Sequence, residues 1–109
     1  MRVMMKASIP VDTGNQKIAD GTFSKTVQAI LADLKPEAAY FADDSGRRTG
    51  FLFFDIQDTS QIPKVAEPWF LAFNASIELH PVMTVEDLGK AAPHFQDAVR
   101  KYATLAAGR

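Results

Sequence analysis

The sequence predicts an α+β fold in which one antiparallel sheet of four strands carries helices on one face. Four short segments are rich in β-branched and aromatic residues or alternate apolar with polar residues, which is typical of strands. Longer segments between and after them repeat apolar residues at helical spacing. The 109 residues are about the length of one domain, so we assign residues 1–109 to a single unit with one core.

The first strand is predicted over residues 3–9, and Pro10 ends it. Val3, Met5, Ala7 and Ile9 share one face of this strand. Met4, Lys6 and Ser8 share the other. A helix follows, because residues 23–34 place their large apolar side chains on one stripe.

Two features bear on where that first helix begins. Thr13 and Gln16 have the spacing of a capping box at a helix start. Gly21 costs about 1 kcal/mol relative to alanine inside a helix. The helix is therefore expected either to break at Gly21 or to begin only at Thr22, and Lys35-Pro36 ends it.

A hairpin is predicted from strands at residues 38–42 and 47–56, joined by turn residues 43–46. The second strand has large apolar groups on both sides. One side carries Arg48, Gly50, Leu52, Phe54 and Ile56, and the other carries Arg47, Thr49, Phe51, Phe53 and Asp55.

The second half of the chain predicts a helix at 62–73, a strand at 76–83 and a last helix from Thr84. Pro68 is expected to bend the middle helix or to unsettle one turn of it. Pro81 indicates that the strand lies at a sheet edge or carries a bulge. The run from Thr84 to Asp87 can cap the last helix, and Pro93 is expected to split it.

The resulting order is strand, helix, strand, strand, helix, strand, helix. Two right-handed split crossovers with one hairpin give the ferredoxin-like arrangement, in which the first and third strands are central. A chain this short can cover one sheet face with its own helices. We therefore expect a second copy to cover the face that carries Phe51 and Phe53.

Four stretches also carry a resemblance: residues 34–41 (LKPEAAYF), 48–51 (RTGF), 60–63 (SQIP) and 66–70 (AEPWF). The chain resembles a family of small, uncharacterised bacterial proteins, which is similar to the dimeric α/β-barrel superfamily. That resemblance implies a homodimer whose open sheet faces press together, with a space between them. It implies no activity, because the superfamily includes cofactor-free monooxygenases, isomerases, haem-processing enzymes and members without a known reaction.

Composition excludes several classes of function. Twelve Lys and Arg residues against 13 Asp and Glu residues leave a net charge of −1, so nothing favours nucleic acid or an anionic membrane. There is no cysteine, which excludes disulfides and thiolate chemistry. The first apolar run is too short, and is followed too early by a charged residue, to be a signal peptide. No apolar run approaches the roughly 20 residues that span a bilayer. A cytoplasmic location is expected.

Four polar residues are predicted on the side of the sheet away from the helices: Lys6, Asp55, Glu78 and His80. If Lys6 lies across from Glu78 or His80 and beside Asp55, these groups can act as general acid and base. The alternative is that they form ion pairs in a wet part of an interface. His94 has no partner at metal-binding spacing, so neither a metal nor a cofactor is expected.

Candidate ligand-binding residues are Phe53, Tyr40, Trp69 and Arg47. Trp69 lies on a helical stripe and is either a pocket wall or core. The strand that holds Tyr40 is too short for alternation to show which face Tyr40 is on. Tyr40 therefore lines either the space between the two sheets or the core. Arg47 can bind an anion but stands beside a turn, where charges are usually solvated.

No phosphate-binding loop or nucleophile elbow is present. The predicted function is therefore an unknown role as a homodimer that binds a small organic molecule between its sheets. The alternative is a cofactor-independent enzyme, similar to the monooxygenases or isomerases, acting on a small organic substrate.

Overall fold

The computed structural model describes residues 1–103 and 105 and contains one antiparallel sheet of four strands. The strands are β1 (Arg2–Ser8), β2 (Ala38–Asp44), β3 (Arg47–Asp55) and β4 (Ser76–Pro81). They lie in the order β2-β3-β1-β4, so the prediction that the first and third strands are central is confirmed. Pro81 ends β4 at the sheet edge, which is the first of its two predicted alternatives.

The helices are α1 (Val11–Ala19), α2 (Phe23–Leu34), α3 (Ile62–Phe73) and α4 (Val85–Ala98). A short 3₁₀ turn (Thr59–Gln61) leads into α3, and a π-helical turn (Val99–Ala103) continues α4. Together with the sheet they give the predicted α+β, ferredoxin-like architecture.

The β2–β3 hairpin closes through the two residues Ser45 and Gly46, both with positive φ, 53° and 78°. Such a turn matches the twist of antiparallel strands. It allows β2 to continue to Asp44, two residues beyond its predicted end, and Asp44 pairs with Arg47.

The first helix breaks at Gly21, which has a φ of 79°. Asp20 stabilises the turn between the two helices. Its carboxylate accepts hydrogen bonds from the backbone N–H of Thr22 at 2.9 Å and from the Thr22 hydroxyl at 2.6 Å. The predicted capping box at Thr13 is wrong. The helix begins at Val11 after Pro10, so Thr13 lies inside its first turn.

The predicted cap of the last helix is confirmed, since Thr84 and Asp87 exchange two hydrogen bonds of 3.1 Å. The predicted split at Pro93 is wrong, because α4 runs through it. No residue of α4 is buried. The carbonyl that Pro93 leaves without a helical donor is therefore open to water, which lowers the cost of the proline.

The core lies between the helices and one face of the sheet. Trp69 and Phe73 of α3 are fully buried, with ring centroids 5.8 Å apart. The Trp69 indole N–H has no hydrogen-bond partner among the described residues. Such an orphaned donor costs about 1–3 kcal/mol, so the ring is held by packing. The sheet contributes Val3, Met5, Ala7, Leu52 and Phe54.

The described part of the chain is elongated, with extents of 63 × 30 × 22 Å and a radius of gyration of 18.9 Å. A compact domain of this length has a radius of gyration of about 13 Å. The excess length matches α4 and its π-helical turn, neither of which buries a residue. We call these two segments the arm. Among the described residues, no helix has the length and apolar character needed to cross a bilayer.

Replacing Trp69 tests the core. We expect Trp69→Ala to lower the free energy of unfolding by about 3–5 kcal/mol, because it leaves a cavity under the sheet. Trp69→Phe should cost clearly less, since it keeps a ring and removes the unpaired N–H. Urea unfolding followed by circular dichroism measures both. Equal losses for the two variants would contradict this account of the core.

Candidate functional site

The face of the sheet opposite the helices, here called the open face, bears no helix from the described part of the chain. The strand pairing determines which residues lie on this face. It also determines the orientation of Tyr40, which lies opposite Phe51 and so shares the open face. The open face consists of Arg2, Met4, Lys6 and Ser8 of β1; Ala38, Tyr40, Ala42 and Asp44 of β2; Arg47, Thr49, Phe51, Phe53 and Asp55 of β3; and Ser76, Glu78 and His80 of β4.

The middle of the open face is apolar. Met4 lies opposite Phe53, and Phe51 lies between Lys6 and Tyr40. Phe51 and Phe53 are half-buried, so they are less exposed than the sequence suggested. Tyr40 is 67% exposed, and the three rings form one patch.

At one end of this patch, Lys6 bridges two carboxylates from opposite edges of the sheet. Its ammonium group contacts Asp44 of β2, and it lies 3.4 Å from Glu78 Oε2 of β4. The three groups line an open cavity of about 390 Å³. The other lining residues are Ser8, Ser45, Arg47 and Ser76.

The pKa of Lys6 is raised, chiefly by its hydrogen bond to Asp44, while desolvation acts in the opposite direction. The contact with Glu78 adds a smaller increase. Because the folded pKa is above the unfolded value of 10.5, the pairing stabilises the fold fully below that pH. The contribution is lost as the pH rises through the folded value.

His80 extends the cluster along β4. Its Nε2 lies 3.3 Å from Glu78 Oε1, so Glu78 touches both His80 and Lys6. In the register His80 lies opposite Met4, whereas Glu78 lies opposite Lys6. A chain of contacts therefore runs His80–Glu78–Lys6–Asp44, which is an arrangement that can hold and move a proton.

Asp55 lies apart from this cluster, so its predicted place beside Lys6 is wrong. The antiparallel register pairs Asp55 with Arg2 and Lys6 with Phe51, which puts Asp55 at the far end of the sheet. There its Oδ1 accepts a hydrogen bond of 3.0 Å from the N-terminal amine. Asp44 takes the position that the sequence assigned to Asp55, and its place depends on the hairpin turn.

The ligand-binding candidates divide between the two faces. Phe53, Tyr40 and Arg47 lie on the open face, and Arg47 lines the cavity. Trp69 is fully buried in the core beneath the helices, so its predicted place in a ligand pocket is wrong. Among residues 1–103 and 105, no three His, Asp or Glu side chains are grouped to suit a metal ion.

Comparison with protein families gives a match over residues 1–96 to a domain of unknown function, DUF3303. The chain belongs to this family. No curated protein matches the sequence.

Among solved structures, the chain is similar to TftG, a 5-chloro-2-hydroxyhydroquinone dehydrochlorinase from Burkholderia phenoliruptrix AC1100, in complex with 2,5-dihydroxybenzoquinone. The TM-score is 0.58 at 13% identity, covering 79% of this chain and 97% of TftG. At this identity the similarity shows the fold alone. A de novo designed protein, Ferredog-Diesel, aligns with a TM-score of 0.42 at 9% identity, covering 74% of this chain and 85% of the design.

The two carboxylates around Lys6 should affect it unequally. We expect Asp44→Asn to lower the pKa of Lys6 more than Glu78→Gln does, because the hydrogen bond to Asp44 is the largest cause of the raised value. Titration of the lysine side chain by NMR, with Lys17 as an internal reference, measures both. A larger drop with Glu78→Gln would show that Glu78 is the principal partner.

Proposed function

We propose that the chain forms a homodimer through its open face and binds a small polar organic molecule between the two sheets. The observation that carries this proposal is the arrangement of the open face. An apolar patch of Phe51, Phe53 and Tyr40 lies next to a polar cavity at Lys6, and no part of the described chain covers either.

The apolar patch supports the dimer. Partly exposed aromatic side chains grouped on one surface are typical of interface cores, and Tyr and Phe are enriched there. Charged groups lie at the two ends of the patch, Lys6 with Asp44 and Glu78 at one and Asp55 at the other. Such a polar rim around an apolar centre is the usual anatomy of a protein interface.

The polar cavity supports the ligand. Face-to-face sheets pack about 10 Å apart, so a second copy would roof the open cavity of about 390 Å³. That volume lies within the range of about 300–1,000 Å³ for small-molecule sites. TftG was solved in complex with 2,5-dihydroxybenzoquinone, so the fold accommodates a small organic molecule in at least one protein.

A charge placed on the apolar patch should dissociate the dimer. We expect the wild type to sediment at twice the chain mass and Tyr40→Glu and Phe53→Asp to sediment as monomers, because each places a carboxylate in the interface core. Sedimentation velocity measures the masses, and circular dichroism verifies that the variants are folded.

The matched control is Leu71→Glu, which changes a side chain that is 82% exposed on α3. It adds the same charge away from the open face and should leave the dimer intact. A monomeric wild type, or a dimer that persists in both patch variants, would contradict pairing through the sheet.

The second candidate function is cofactor-independent acid–base catalysis on the same ligand. The contact chain His80–Glu78–Lys6–Asp44 favours it, because a neutral His80 can accept a substrate proton while the Lys6 ammonium stabilises the anion that forms. Asp55 has no part in this chemistry, since it lies at the other end of the sheet.

A thermal-shift screen tests whether a ligand binds in the cavity, and an assay of turnover separates the two candidates. We expect compounds from a panel of small phenols, quinones and carboxylic acids to raise the melting temperature of the wild type but not of Lys6→Met, because Lys6 lines the cavity. In the binding role His80→Ala keeps the shift. In the catalytic role it also keeps the shift but abolishes turnover of the bound compound, followed by NMR.

An equal shift in Lys6→Met and the wild type would remove the cavity as the binding site. Asp55→Asn serves as the control, because it changes a charge on the same face at the distant end. It should leave both the shift and any turnover unchanged.

A further inference from the structure

The arm has an apolar stripe whose side chains are all exposed. Leu88, Phe95 and Val99 recur at spacings of seven and four, and their exposures run from 48% to 60%. Neither α4 nor the π-helical turn contains a buried residue. A helix with one apolar stripe normally buries it against another element.

The opposite side of the arm is polar, which makes the stripe a defined surface. Asp97 forms ion pairs with Arg100 at 2.7 Å and Lys101 at 3.1 Å. At 100° per residue along α4, Lys90 and Asp97 lie roughly opposite Leu88. The arm is thus amphipathic and presents one face to a partner.

A complementary surface exists on the body of the same chain. A groove of about 590 Å³ runs between the first two helices and the β2–β3 hairpin. Three of its apolar side chains, Val11, Ile18 and Phe41, are about half exposed. Phe41 forms part of its wall and lies against Gly50, where a Cβ would be 3.0 Å from the ring. Ile9, Phe23 and Val27 also line it.

Within one chain, the arm begins at the sheet edge opposite to the one that carries the groove. It follows β4, at one edge of the sheet, whereas the groove lies along β2, at the other edge. On the helical side α3 packs beside β4 and α2 packs beside α3. These two helices stand between the start of the arm and the groove of the same chain.

A second copy removes this obstacle. If two open faces stack about a two-fold axis parallel to the strands, β4 of one copy lies over β2 of the other, because the axis reverses the strand order. The arm then begins beside the partner's β2. Its 14-residue helix is about 21 Å long at 1.5 Å per residue. The seven residues of β2 span a similar distance of about 23 Å.

We propose that the arm of each copy lies in the groove of the other, with the stripe of Leu88, Phe95 and Val99 against Ile18 and Phe41. This inference rests on the proposed dimer through the open face. It assigns one occupant to two apolar surfaces that the single chain leaves uncovered. The exchange is reciprocal, so each dimer contains two such contacts.

The cysteine-free sequence allows a direct test by cross-linking. Two full-length chains with different tags are co-expressed, one carrying Phe95→Cys and the other Ile18→Cys, and the purified dimer is oxidised. Both positions are about half exposed, so the substitutions leave the core intact. We expect a disulfide-linked heterodimer on a non-reducing gel. The matched control replaces Phe95→Cys with Lys90→Cys, which lies on the polar side of the same helix.

The expected yield for Phe95→Cys with Ile18→Cys exceeds that of the Lys90→Cys control on the order of tenfold, because docking raises the effective concentration of the two thiols. Equal yields overturn the proposal. Linkage of two Phe95→Cys chains to each other shows that arms pair with arms and also overturns it. So does a disulfide within a single chain that carries both Phe95→Cys and Ile18→Cys.

A second measurement separates this proposal from the dimer on which it rests. One outcome is that the cysteine variants form a dimer that Phe53→Asp dissociates and yet give no cross-link. That result leaves the sheet pairing in place and overturns the arm contact. A cross-link that survives in dimers carrying Phe53→Asp supports the arm contact and overturns sheet pairing.

Maleimide labelling gives an independent check of the arm contact. The arm should protect Ile18→Cys from maleimide, and the double substitution Leu88→Glu with Phe95→Glu should abolish that protection. A labelling rate that the double substitution leaves unchanged contradicts the arm contact.

Discussion

Strand β3 imposes the main constraint on this protein, because it carries large apolar side chains on both faces of the sheet. Leu52 and Phe54 are buried beneath the helices, while Phe51 and Phe53 face away from them. The helices among residues 1–103 cover one face only. Apolar surface left in water costs about 25 cal/mol per Å², so the second face is the natural place for another copy.

The same sheet brings charges together that are distant in the sequence. Lys6 lies on a central strand and reaches carboxylates on both edge strands, Asp44 on β2 and Glu78 on β4. A lysine between two carboxylates can serve as a structural clamp or can hold a negative charge on a ligand. In the proposed dimer both roles would apply to the same group, because Lys6 lines a cavity on the face that the second copy would cover.

The arm and the groove extend this reasoning from the sheet to the edges of the molecule. Each is an apolar surface that no element of the described chain covers, and they lie at opposite edges of the sheet. A two-fold arrangement of open faces brings these edges together. One symmetry operation therefore accounts for three uncovered apolar surfaces: the open face, the groove and the stripe of the arm.

The sequence by itself determined the element order, the edge position of β4 and which residues of β1, β3 and β4 share a face, because alternation and helical spacing are local properties. It did not determine that Asp44 rather than Asp55 joins Lys6, since that depends on strand register and on the two-residue turn at Ser45 and Gly46. Only the tertiary structure showed that Trp69 is core and that α4 continues through Pro93 without burying a residue. Periodicity shows that a helix has an apolar stripe but not what covers it, because that depends on contacts between segments far apart in the chain.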